Sequence, residues 1–170
     1  CYAVPRSIDA SLSVREKLAG RLADIERIDV EIGPLQAGML RNPNPQTGLD
    51  AKFSAQFAVA SALIDGHVGL GQFTDSHVTS PPIRDLIAKV RVLPTDTADP
   101  DEPLFGLWDR VTVHLRGGEA VRAEPVYHPK GHAKRPLTME ELEVKFLDCA
   151  RVSMDDASAR AWWRGGRQFV

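Results

Sequence analysis

Residues 111–127 constrain the fold more than any other stretch of this chain. Val111, Val113 and Leu115 alternate with Thr112, His114 and Arg116, a period of two that sends the apolar side chains to one face of an extended strand. Gly117-Gly118 follows, and adjacent glycines suit the tight turn of a hairpin. A second strand is predicted from Glu119 to Tyr127.

The other elements fall around this hairpin. Ser7 is expected to cap a first helix with Ile8, Leu12, the stem of Arg15 and Ala19 on its inner face, ended by Gly20. Ile28, Val30 and Ile32 alternate with Asp29 and Glu31 as a strand that Gly33-Pro34 stops. Residues 41–48 carry two prolines, two asparagines and a glycine and read as a loop. Leu49, Phe53, Phe57, Ala60 and Ile64 lie at helical spacing. The remaining surface of that helix is small, which fits a buried helix approached closely by its neighbours. Ser80-Pro81 opens a short helix with Ile83, Leu86 and Ile87 inside, leading to a strand over residues 89–93. A solvated loop follows to Pro103. Thr138 and Glu141 have the spacing of a capping box, opening a helix with Leu142, Phe146, Cys149 and Ala150 on one face. A weaker pattern around Trp162 and Trp163 gives the tail some helical character. Four strands, two of them a hairpin and the rest separated by helices, predict an α+β fold: a small, largely antiparallel sheet with helices packed on one side. The expected organisation is one domain over 1–152 and a tail over 153–170.

At 170 residues, 43% apolar and 26% charged, the chain has the material for one core. A formal charge of −2 without a basic block excludes a dedicated nucleic-acid surface, and no apolar run approaches a membrane span. No secretory n-region and h-region opens the chain, so a cytoplasmic location is expected. Cys1 stands where an element is already under way, as in a piece of a longer chain. Cys1 and Cys149 read as free thiols, and their spacing makes no metal finger.

Motifs for dinucleotides, P-loop phosphates, serine nucleophiles and zinc proteases are absent. Five scattered histidines do not form a ligand pattern, so no metal and no cofactor is expected. Two features suit a small anion. The basic stretch from His128 to Arg135 could hold carboxylates, or simply be a solvated loop. Lys52 and Ser54 lie where the small-residue helix begins, and a helix start offers free N–H groups and a positive dipole end. The plainer alternative there is a lysine lying along the surface and a packed serine.

Several segments in order resemble one family. Thr47-Gly48-Leu49-Asp50-Ala51-Lys52-Phe53-Ser54 with Ala62-Leu63-Ile64-Asp65-Gly66, then Gln72-Phe73 and Asp75, Lys89-Val90, Val111-Thr112-Val113 with Gly117-Gly118, Lys130-Gly131, Pro136-Leu137-Thr138 and Lys145-Phe146 are similar to the C-terminal domain of the MmgE/PrpD family. Cys1-Tyr2 and Ile8-Asp9-Ala10 fit its first helix. The resemblance implies a lid that closes over a larger, N-terminal helical domain of the same protein. It implies a metal-independent lyase or isomerase on a di- or tricarboxylate, working as a homo-oligomer. Arg6, Lys52 and Ser54 are then the substrate-binding candidates, for holding a carboxylate rather than abstracting a proton. Two positions depart from the family. A histidine is common where Pro5 stands and an active-site tyrosine where Phe57 stands, and neither residue here transfers a proton. A non-catalytic binding module derived from such a lid is the alternative. An apolar face including Trp162 and Trp163, left bare without the helical domain, is expected to drive self-association.

Overall fold

The computed structural model describes residues 1–166, which form two compact units, residues 1–130 and the stretch from residue 131 onward. The first unit holds the sheet: β1 (Ile25–Ile32), β2 (Val90–Pro94), β3 (Arg110–Leu115) and β4 (Ala120–Arg122), in the spatial order β2-β1-β3-β4. β1 pairs antiparallel with β3, and β3 with β4, while β1 and β2 run parallel. The sheet is therefore mixed but mainly antiparallel, and the fold is α+β as the sequence predicts.

The register explains the core. Val90 lies opposite Ile28, Ile28 opposite Val113 and Val113 opposite Val121, one buried apolar row crossing all four strands. Val30 and Val111 form a second row beside it. Each such side chain is worth roughly 1.5–3 kcal/mol on burial. The helices of this unit are α1 (Pro5–Leu18), α2 (Pro34–Met39), α3 (Gly48–Ala51), α4 (Ala55–Asp65), α5 (Asp75–Val78) and α6 (Pro81–Ile87). α1 packs on β3 and β4, while α4 lies against α1, α6 and β2. The opposite sheet face carries charge. Arg110 grips Glu31 through Nε and Nη2 at 2.8 and 2.7 Å, and His114 Nε2 lies 2.8 Å from Asp29. Arg27 binds the same aspartate at 3.0 Å.

Several expectations change. The first helix starts at Pro5, whose fixed φ suits a first helical turn, and Ser7 caps nothing: its hydroxyl donates to Asp109 at 2.8 Å. The buried stripe is Arg6, Ser7, Ala10, Ser11, Val14 and Leu18, one step round from the one expected. Its small residues let α1 approach α4. The long helix expected from Leu49 is two helices separated at Lys52-Phe53-Ser54, and Leu49 and Phe53 are 67% and 43% exposed. The break has a cause. The Asn42 amide donates to the Phe53 carbonyl at 3.1 Å, so the 41–47 loop pairs with the chain exactly where a helix would need that carbonyl for itself. The return strand of the hairpin is short because Pro125 offers no amide, and the chain rejoins β3 only where Asp109 and Val126 exchange both backbone hydrogen bonds.

The second unit contains α7 (Met139–Ala150) and α8 (Asp156–Gly166). The capping box is formed: the Glu141 amide donates to Thr138 Oγ1 at 3.2 Å, and the Thr138 amide to Glu141 Oε2 at 3.0 Å. Leu147 is buried, whereas Leu142 and Cys149 of the predicted face are exposed. Trp163 packs against Phe146 with ring centroids 5.4 Å apart, while Trp162 is 70% exposed. The glycine- and arginine-rich tail reaches past Gly166 into residues outside the described ones. Among the described residues no helix is long and apolar enough to cross a membrane.

Candidate functional site

Arg6 sits in the first turn of α1 and is 6% exposed. Its Nη2 donates to Gln36 Oε1 at 2.9 Å and lies 3.0 Å from Asp109 Oδ1, while Nη1 donates to the Tyr127 carbonyl at 3.2 Å. Its guanidinium also lies over the Phe105 ring, 5.7 Å from the centroid. Asp109 is fully buried and accepts from Ser7 and from Gln36 Nε2. Burial pushes the Asp109 carboxyl above its ordinary range, and the Arg6 charge with the Ser7 and Gln36 hydrogen bonds pulls the other way. Gln36 ties the cluster to the backbone. Its Oε1 accepts from the Gly33 and Gly106 amides at 3.1 and 2.9 Å. Gly33 and Gly106 touch so closely that a Cβ on Gly33 would lie 2.2 Å from the Gly106 nitrogen. Every partner of Arg6 named here is part of the fold, and its charge is balanced by Asp109.

Lys52 and Ser54 stand differently. Ser54 is buried and is the N-cap of α4, its Oγ accepting from the Phe57 amide at 3.1 Å. Lys52, two residues earlier, is exposed and makes no hydrogen bond or ion pair within the described residues. Thr47 caps α3 through Asp50, and Gly48 lies so close to Phe73 that a Cβ would meet the Phe73 carbonyl oxygen at 2.0 Å. The Thr47-to-Ser54 segment is thus two successive capped helix starts with one unpaired cation between them. The basic stretch is a folded turn around Gly131, whose amide donates to the Arg135 carbonyl at 2.9 Å.

Pro5 is the first residue of α1 and Phe57 is fully buried against Phe73 and His77, with centroids 5.4 and 6.1 Å away. Neither offers a proton. Gln36 and Asp109 escaped sequence reasoning because Gln36 follows a Gly-Pro stop and Asp109 only precedes a strand. A lone acidic residue ahead of an alternating apolar run was the one available signal.

Set against known proteins, the chain matches the profile of the MmgE/PrpD C-terminal domain over residues 1–164. It is 31% identical over 147 residues to a cis-aconitate decarboxylase of Homo sapiens, covering 81% of this chain and 29% of that protein. It is 29% identical over 126 residues to the cis-aconitate decarboxylase of Mus musculus, covering 72% and 24%. The chain thus spans less than a third of the length of these relatives.

Proposed function

The chain belongs to the MmgE/PrpD family, as its C-terminal domain, and from that premise we propose that it is the lid of a metal-independent lyase or isomerase acting on a di- or tricarboxylate. The observation that carries this reading is Lys52: an exposed cation without a partner among the described residues, placed just ahead of the capped start of α4. A carboxylate arriving there meets a full positive charge and the positive end of a helix dipole, both of which favour an anion. In this reading Lys52 holds the substrate, and Ser54 and Arg6 hold the backbone on which Lys52 and the end of the sheet depend. Proton transfer then falls to an N-terminal helical domain of the same protein, because Pro5 and Phe57 supply no acid or base. The same reading makes the full protein a cytoplasmic homo-oligomer without a cofactor.

The burial of Phe57 favours a second reading, a binding module that keeps the lid without its chemistry. One experiment separates them. Di- and tricarboxylates are screened by thermal shift on the full-length protein, wild type against Lys52→Ala, and turnover of any stabilising acid is followed by the change in its NMR spectrum. A stabilisation seen only in wild type, with turnover, supports the lyase or isomerase; stabilisation without turnover supports the module. Equal stabilisation of both proteins removes Lys52 from the site.

A further inference from the structure

A cleft lies between the 43–45 loop, the first turn of α4 and the end of α6 with the start of β2. Its volume is about 440 Å³, within the range of small-ligand sites. Pro43, Ile87 and Val90 give it an apolar side, and Gln56 and Arg84 give it two polar groups. Both polar groups are incompletely used. Gln56 is 9% exposed, and its Oε1 is buried without a hydrogen-bond partner. A buried acceptor left open in this way costs stability, and a missing donor is the usual explanation.

Arg84 is held by neutral oxygens. Nη1 donates to the Pro45 carbonyl at 3.0 Å and Nη2 to Asn44 Oδ1, while no carboxylate of the described residues pairs with it. Two of the five N–H donors of a guanidinium are thereby spent, and its charge stays uncompensated. The positive end of the α4 dipole lies at the same place, since Gln56 is the second residue of that helix.

We propose that this cleft is a second ligand site, apart from Lys52, that takes a small hydroxy acid. Its carboxylate pairs with Arg84, its hydroxyl donates to the Gln56 side-chain oxygen, and its carbon chain rests on Ile87 and Val90. A hydroxyl is required because Gln56 needs a donor, and a carboxylate because Arg84 needs an anion. Neither group alone satisfies both. Filling the cleft also fastens the 43–45 loop, which Arg84 already ties to α6, so occupancy stiffens the segment leading to the α3 and α4 starts.

The test is calorimetric titration of the full-length protein with malate and with succinate, which differ by one hydroxyl. Binding is measured in the Lys52→Ala background, so that the carboxylate contact proposed above is not what is read. Malate is expected to bind about tenfold more tightly than succinate, the worth of one hydrogen bond to an otherwise open buried acceptor. Gln56→Leu should erase that preference while leaving the weaker succinate binding in place. Ala88→Trp, at the exposed rim of the cleft, should abolish both without disturbing a buried contact. Should Arg84→Met loosen the loop, Ala88→Trp still decides the matter. Malate binding that survives Ala88→Trp unchanged, equal affinity for malate and succinate, or no binding of either at millimolar concentration overturns the proposal.

Discussion

Arg6 and Lys52 are both cations at the start of a helical segment, and the fold uses them in opposite ways. Arg6 is enclosed, with Asp109, Gln36 and Tyr127 around it and its charge cancelled. Lys52 is exposed and pairs with nothing among the described residues. The difference teaches that a basic residue at a helix start is evidence for an anion site only when the tertiary structure leaves its charge unspent. A buried pair also behaves differently under mutation from an exposed lysine. Removing one member strands the other in a low-dielectric interior, whereas removing a solvated lysine strands nothing.

The sharpest way to break the comparison is Arg6→Ala. It leaves the Asp109 carboxylate buried and unbalanced and should cost about 3–5 kcal/mol in urea unfolding. The loss should be pH-dependent. Burial already raises the Asp109 carboxyl, so its stabilising contribution is complete below the unfolded value of about 3.9 and is lost as pH rises through the folded value. The deficit of Arg6→Ala should therefore be smaller at pH 5 than at pH 8. A loss under about 1 kcal/mol would mean that Arg6 is as unspent as Lys52.

Gly33→Ala attacks the same cluster through the backbone. The added Cβ meets the Gly106 nitrogen and must push apart two chain segments that Gln36 bridges, at about 1–3 kcal/mol by chemical denaturation. Ser54→Ala removes the α4 cap and should cost about 1 kcal/mol, with any loss of carboxylate binding following from the displaced helix start. A fourth change lies on the charged sheet face. The hydrogen bond from Arg110 holds the Glu31 carboxyl below its ordinary range, with the Arg110 and Arg122 charges adding to it and burial opposing. That contribution is present above the unfolded value of about 4.3 and is lost as pH falls through the folded one. Glu31→Gln should then cost about 0.5–1 kcal/mol at pH 7, and the gap to wild type should close under acid unfolding below about pH 4. Lys52→Ala is the smallest of the series, within about 0.5 kcal/mol of wild type in stability. If Lys52→Ala destabilises the chain as much as Ser54→Ala, the lysine is a structural residue and the comparison fails.

Local chemistry made much of this chain legible. The alternation in 28–32 and 111–115 shows in the register of β1 and β3, because a period of two fixes which face is buried wherever one face meets a core. Ser80-Pro81 and the Thr138–Glu141 box mark true helix starts, since both signals act within one turn. The ordered motifs from Thr47 to Phe146 identify the family. What the pattern of residues could not supply is how distant segments share hydrogen bonds. Leu49 to Ile64 has the spacing of one helix, yet Asn42 takes the Phe53 carbonyl and divides it. Ser7 has the chemistry of a cap, yet Asp109, a hundred and two positions away, claims its hydroxyl. Arg6 and Lys52 look equivalent as letters, and only the packing of α1 against the end of the sheet spends one charge and leaves the other exposed. Sequence determines the elements because propensity, caps and periodicity act over a few residues. Tertiary structure decides the site because burial and pairing depend on partners that no local pattern names.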